Sequence, residues 1–165
     1  MPWFAMSERD MDDVVAIAEI VHPGFPEDRA VLAEKLALHP EGCFVLRDGE
    51  GGAALGYLLS HPWAEGSAPP LDTLLGCLPE PELYYIHDIA LLPAARGMRA
   101  GEQAVAAVVD HARALGLGRI ALVAVNGSTG FWQRHGFSVQ ADDGWPEMLA
   151  SYGPDAAYMS RRLVP

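Results

Sequence analysis

Leu83-Tyr84-Tyr85-Ile86-His87-Asp88-Ile89-Ala90-Leu91-Leu92-Pro93-Ala94-Ala95-Arg96-Gly97-Met98-Arg99-Ala100-Gly101 is the stretch that decides the fold. Its first ten residues are apolar or aromatic except for His87 and Asp88, which predicts a strand over Leu83–Leu92. Pro93–Arg99 interrupts that run and reads as a turn. Ala100–Leu115 carries Gly101, Val105, Val108, Ala112 and Leu115 on one stripe, the spacing of an amphipathic helix. Gly116 and Gly118 end it. Arg119–Val125 is a continuous apolar run, as expected of a strand buried on both faces. Strand, turn, helix and strand in this order imply a crossover that joins two parallel strands.

The turn has a chemistry of its own. The first amides of a helix lack internal partners, and with the helix dipole they favour a bound anion. Gly97 and Gly101 remove side chains where a ligand or a neighbouring chain segment comes close. Arg96 adds a fixed positive charge suited to phosphate. A pyrophosphate-bearing cofactor is the natural occupant. The turn is not a Walker loop, since Gly-Lys-Ser/Thr is absent, and the glycine pattern of a dinucleotide-binding crossover is missing too.

On the N-terminal side, Trp3–Met6 reads as a short strand, and Ser7 or Asp10 can cap a helix built on Met11, Val14, Val15, Ala18 and Val21. His22-Pro23-Gly24 breaks it. A second helix covers Asp28–Leu38, with Leu32 and Leu36 on one face. Cys43–Arg47 and Ala53–Ser60 form a hairpin around the glycine-rich Asp48–Gly52. Pro62–Pro81 is a long loop, either a lid over a substrate site or a tolerated insertion, with a short helix at Leu71–Leu75. On the C-terminal side, Asn126–His135 begins as a turn and continues as a short helix. Gly136-Phe137 opens a return strand, and Ala156–Leu163 is the last strand. The whole is an α/β domain spanning residues 1–165, with a mixed sheet and helices on both faces.

At Pro93-x-x-Arg96-Gly97-x-x-x-Gly101 the sequence resembles the GNAT N-acetyltransferases, whose signature is Arg/Gln-x-x-Gly-x-Gly/Ala. Arg96 matches the first position and Gly101 the last, while Arg99 stands where the family has its middle glycine. A second segment, Val125-Asn126-Gly127-Ser128-Thr129-Gly130-Phe131-Trp132-Gln133-Arg134-His135-Gly136-Phe137, resembles the family's later motif. There Asn follows the fifth strand, a helix carries an aromatic pair, and Gly-Phe closes it. One helix and one buried strand lie between the two motifs, the family's spacing. The resemblance implies a mostly antiparallel sheet with a parallel pair at the cofactor site. It also implies acetyl-CoA as cosubstrate, and by analogy a homodimer. The pyrophosphate would be held by Arg96, Gly97, Met98, Arg99, Ala100 and Gly101. Ile89, Ala90 and Leu91 would pair with the pantetheine arm and present an oxyanion donor. Asn126 would hydrogen-bond that arm, and Trp132 would pack beside it.

The family reaction is attack of a neutral amine on the acyl thioester, so a base must take a proton and an acid can protonate the leaving thiolate. His87 and Asp88 interrupt an apolar strand, and ionisable groups there are costly unless paired or facing a cleft. Adjacent strand residues point to opposite faces, so the two line one site only if a bulge re-aims one of them. His87 is placed on the face of Tyr85 and Ile89. It is the candidate base, directly or through water, or else a hydrogen-bonded strand residue. Asp88 is expected to be structural. Trp132 stands where many relatives have a tyrosine acid, and its indole N–H cannot take that role. Ser128 is the substitute candidate.

Composition narrows the alternatives. The chain has 165 residues, 50% hydrophobic and 20% charged, which suits one folded domain. Its net charge of −11 argues against a nucleic-acid binder and is compatible with cationic amines. No run of roughly 18 apolar residues occurs, so no membrane span is expected. Met1-Pro2-Trp3-Phe4 does not resemble a signal peptide, which predicts a cytoplasmic enzyme. Cys43 reads as a core residue and Cys77 as a free loop thiol. His22, His39, His61, His111 and His135 show no metal-ligand spacing. Asp142, Asp143 and Glu147 form either an acidic rim or a solvated loop. Besides the enzyme stand two other classes: a catalytically inactive acyl-CoA-binding module, and an interaction protein with a vestigial pocket.

Overall fold

A computed structural model describes residues 2–141 and 145–164. Asp142 and Asp143 of the acidic segment lie outside the described residues. Seven strands form one sheet: β1 (Trp3–Ala5), β2 (Cys43–Arg47), β3 (Ala54–Trp63), β4 (Leu83–Leu91), β5 (Arg119–Ala124), β6 (Ser138–Val139) and β7 (Ala157–Arg162). Their spatial order is β1-β2-β3-β4-β5-β7-β6. The β4–β5 pair is parallel and the other pairs are antiparallel. The helices are α1 (Met11–Val21), α2 (Arg29–Leu38), α3 (Ala100–Ala114), α4 (Thr129–Arg134) and α5 (Trp145–Met148).

Periodicity explains the layers. α1 buries Met11, Val14 and Ile17, and α2 buries Val31, Leu32, Lys35 and Leu36. Both cover one sheet face, against Cys43, Tyr57, Leu59 and Ala90. α3 buries Ala104, Val105, Val108, Val109 and Ala112 on the other face, against Tyr84, Ile86, Ile120 and Leu122. A valine costs a helix about 0.5 kcal/mol of propensity. Burying it contributes about 1.5–3 kcal/mol, so packing decides that this valine-rich segment is helical. Cys43 is buried, and burial pushes its thiol pKa up to about 12, whereas Cys77 is exposed.

Two expectations about the chain between β2 and β4 need correction. The hairpin strand does not stop at Ser60. It runs on through Pro62, paired with Tyr84, to Trp63, paired with Leu83. β2 begins at Cys43 opposite Leu59, so it does not reach Pro62, and a proline is tolerated there. Leu71–Leu75 forms no helix. Asp72 at φ 55° and Gly76 at φ 76° are left-handed and interrupt any helical turn. The segment is strapped down instead. The Leu75 and Gly76 amides donate to the Glu34 carboxylate at 2.6 and 2.9 Å, and the Leu71 amide donates to Ser151 Oγ at 2.9 Å.

Candidate functional site

A cavity of about 290 Å³ opens where the parallel strands part. Pairing between β4 and β5 covers only Tyr84–Ile86 against Ile120–Leu122. On its other side, β4 stays paired with β3 through Leu91. Beyond Ile86, the β5-facing backbone of β4 therefore has no strand partner. Ile89 and Leu91 line the opening, and Ala90 points away into the core beneath α1 and α2.

The turn into α3 lies beyond the end of β4. Gly97 adopts φ 83°, and Arg99 adopts φ 55°, ψ 30° at the N-terminus of α3. Arg99 thus takes the left-handed conformation that glycine adopts without strain, at a cost of about 1–2 kcal/mol. The Gln103 amide donates to the Arg99 carbonyl at 3.1 Å, and the amides of Ala100, Gly101 and Glu102 precede the helical ladder. Arg96 and Arg99 are exposed, Met98 is half-buried, and the Ala100 carbonyl accepts from Trp3 Nε1 at 3.0 Å. Gly101 serves packing. A Cβ there would stand 2.9 Å from the Phe131 ring.

The opposite end of the cavity is built by a bulge. Leu59 pairs with Asp88 and Ser60 with Ile86, so His87 is an extra residue in β4. The alternation of faces slips by one at this point. His87 and Asp88 both line the cavity. Ile89, expected to share the His87 face, packs instead against the cluster beneath α3.

Each bulge residue is paired with a group from the connection between α1 and α2. His87 Nε2 lies 2.9 Å from Glu27 Oε1, with side chains only 2% and 8% exposed. The other Glu27 oxygen accepts the Asp72 amide at 3.0 Å. Burial opposes the Glu27 charge, but His87 and the Asp72 amide outweigh it and lower the Glu27 pKa. His87 Nδ1 is buried and has no hydrogen-bond partner among the described residues. Asp88 accepts a hydrogen bond from the Tyr57 hydroxyl. Its other oxygen is 2.8 Å from His22 Nε2, an ion-pair distance at an angle outside hydrogen-bond geometry. His22 Nδ1 is 3.0 Å from the Asn126 side-chain amide. Burial disfavours a charged His22, but Asp88 outweighs burial and raises its pKa.

Asn126 and Ser128 line the cavity, as does Trp132, which is 5% exposed and lies edge-on to Phe131 and Phe137. Glu147 is exposed on α5. Ile89 and Leu91 line the cavity, whereas Ala90 and the turn residues Arg96–Gly101 are not among its lining residues. Sequence reasoning missed Glu27, His22, Tyr57 and Lys35. Lys35 is fully buried, its Nζ donating to the Val31 carbonyl at 3.2 Å, and burial lowers its pKa against the opposing pull of Glu27 and Glu34. Its place three residues after Leu32, on the apolar face, was the one available signal. Among the described residues, no group of three or more His, Cys, Asp or Glu side chains is arranged to hold a metal ion. No described helix is long and apolar enough to cross a membrane.

Solved structures share this architecture. Ard1 from Thermoplasma volcanium is 16% identical, with a TM-score of 0.72 over 99% of this chain and 97% of that one. GphF, a GNAT-like decarboxylase in complex with isobutyryl-CoA, is 19% identical, with a TM-score of 0.80 over 99% and 100%. Rv2747 from Mycobacterium tuberculosis, in complex with CoA and NLQ, is 16% identical, with a TM-score of 0.69 over 98% and 99%. At these identities the likeness establishes the fold. No curated protein matches the chain. Residues 10–137, from the start of α1 through the close of the second motif, match the family model described as Acetyltransferase (GNAT) family, and the chain belongs to that family.

Proposed function

We propose that this protein transfers an acetyl group from acetyl-CoA to a primary amine by direct attack. The observation that carries this is the His87–Glu27 pair at the bulge. It lies in the same cavity as the unpaired β4 backbone. The turn fits a pyrophosphate: the first amides of α3 are free for an anion, and Arg96 and Arg99 are exposed beside them. The unpaired edge at Ile89–Leu91 fits the amide groups of a pantetheine arm, and an amide there would face the thioester oxygen as it gains charge. Asn126, in the turn after β5, would hydrogen-bond the arm from the other side.

The Glu27 carboxylate can only accept, so it holds a His87 proton on Nε2. His87 Nδ1 has no protein partner among the described residues, and in the proposed reaction it takes the ammonium proton of the substrate, for which its buried ring edge must be opened to the amine or to one water. The released amine then attacks the thioester carbonyl. Val21, Phe25 and Leu71 line the cavity near these groups, so the amine carries an apolar body behind its cationic head. The net charge of −11 favours the approach of a cation.

Arg99 in the glycine position and the missing tyrosine acid favour the second reading, an acyl-CoA-binding module without turnover. Thiol release from acetyl-CoA across a panel of primary amines separates the two. His87→Ala should lower the rate by about 10²–10⁴-fold. An unchanged rate–pH profile in His87→Gln would remove His87 as the base. Because a GNAT-like decarboxylase shares the fold, the panel includes malonyl-CoA without amine, read by carbon dioxide release. Carbon dioxide release without amine-dependent thiol release would replace transfer with decarboxylation.

A further inference from the structure

We infer that His22 is the general acid of the transfer, giving the proton on Nδ1 to the thiolate that leaves as the acyl–sulfur bond breaks. The inference rests on the acyl-transfer function proposed above. Trp132 occupies the place of a tyrosine acid and offers only an indole N–H, which is not released near neutrality. Its side chain is also committed to Phe131 and Phe137. His22 lines the same cavity as Trp132, His87 and Asn126. It is held on both sides, by Asp88 at 2.8 Å on Nε2 and by the Asn126 amide at 3.0 Å on Nδ1. Asn126 belongs to the turn proposed to contact the pantetheine arm. In the proposed complex the sulfur lies on the Nδ1 side, where an arm that takes over Asn126 frees Nδ1 to face it.

The surroundings suit a proton that must be present before reaction. Asp88 from β4 and Glu27 from the α1–α2 connection are the charged groups acting on His22. The preceding helix α1 brings Glu19, which lines the neighbouring cleft with it. Asp88 and Glu27 both favour the imidazolium. When His22 is protonated, Nδ1 becomes a donor, and Asn126 must turn its side-chain oxygen toward it. The step then balances. The amine nitrogen–carbon bond forms, and the carbon–sulfur bond breaks with its electron pair going to sulfur. Sulfur takes the Nδ1 proton, and the ammonium proton has gone to His87. His22, 14% exposed, regains a proton from solvent.

The test needs no amine. CoA and desulfo-CoA are bound in turn to the full chain, and their ultraviolet difference spectrum is followed against pH to titrate the bound thiol. An imidazolium beside the sulfur should lower the apparent pKa of the bound thiol by roughly one to two pH units from that of CoA free in the same buffer. His22→Gln and His22→Phe should abolish that shift while CoA still binds. His22→Gln retains hydrogen-bonding capacity without the charge, so it stays informative where His22→Phe fails to fold. Retention of the full shift in a folded His22→Gln that binds CoA overturns the role of His22 alone. No binding of CoA by the wild type overturns the transfer function itself.

Discussion

The two proposed sites are made in different ways. The proposed cofactor site is made of backbone: an unpaired strand edge, a left-handed turn and the first amides of α3. It is continuous in sequence from Ile89 to Gly101. The proposed amine site is made of side chains drawn from distant segments, with His87 and Asp88 meeting Glu27 and His22 of the α1–α2 connection. A backbone site tolerates replacement of individual side chains, provided that φ and ψ are kept. A side-chain site depends on each partner, because a buried ionisable group left alone is costly.

That contrast sets the order of expected effects. Glu27→Gln should act most strongly on turnover, by about 10²–10⁴-fold, since the amide no longer fixes the His87 tautomer. Glu27 positions His87, so the variant should also shift the rate–pH profile and leave CoA affinity unchanged. A profile with the wild-type midpoint would separate Glu27 from the base. Gly101→Glu should cost about 3 kcal/mol of stability in a denaturant titration, since its Cβ alone would come 2.9 Å from the Phe131 ring. That variant therefore probes packing more than pyrophosphate binding. A folded Gly101→Glu of wild-type stability would show that α4 can yield.

Arg99→Gly should do much less. It relieves about 1–2 kcal/mol of left-handed strain but frees the unfolded chain by about 0.4–1 kcal/mol. The net change should be a stabilisation of no more than about 1.6 kcal/mol, read by thermal unfolding. CoA affinity should fall by less than about tenfold, the weight of one exposed charge contact. A larger loss would mean that the Arg99 side chain, not its amide, holds phosphate. The smallest effect concerns pH. His22 has a pKa raised above its ordinary 6.5, so its stabilisation is complete below pH 6.5 and is lost as pH rises through the folded value. Glu27 has a lowered pKa, so its contribution is present above about pH 4.5 and is lost as pH falls through its folded value. His22→Gln should flatten the alkaline-side decline and leave the acid side alone. An unchanged slope in unfolding free energy against pH would show that the Asp88 contact is not felt.

The same contrast explains what the sequence made legible. β4, the turn, α3 and β5 are encoded locally by alternation, glycine and a helical stripe, so the order Leu83–Ala124 could be read directly. The bulge at His87 depends on how β3 pairs with β4, and nothing within β4 announces it. The slip places Asp88 beside His87 and turns Ile89 to the other face. Glu27 and His22 stand in a breaker-rich segment some sixty residues from their partners. Their roles exist only once α1 and α2 dock on the sheet. The loop before β4 was misread at Leu71–Leu75 because its conformation is fixed by Glu34, Glu27 and Ser151 and not by its own periodicity. Arg99 was visible as a departure from the glycine pattern, but its left-handed backbone conformation was not.

The most direct measurement is a calorimetric titration of the wild type and Arg96→Glu with acetyl-CoA. Arg96 is exposed and contributes nothing to the core, so its reversal leaves the fold intact. The account predicts micromolar binding by the wild type and a loss of about tenfold or more in Arg96→Glu, steeper at low salt. Wild-type protein that does not bind acetyl-CoA, or equal binding by both, would contradict a pyrophosphate site at the α3 turn.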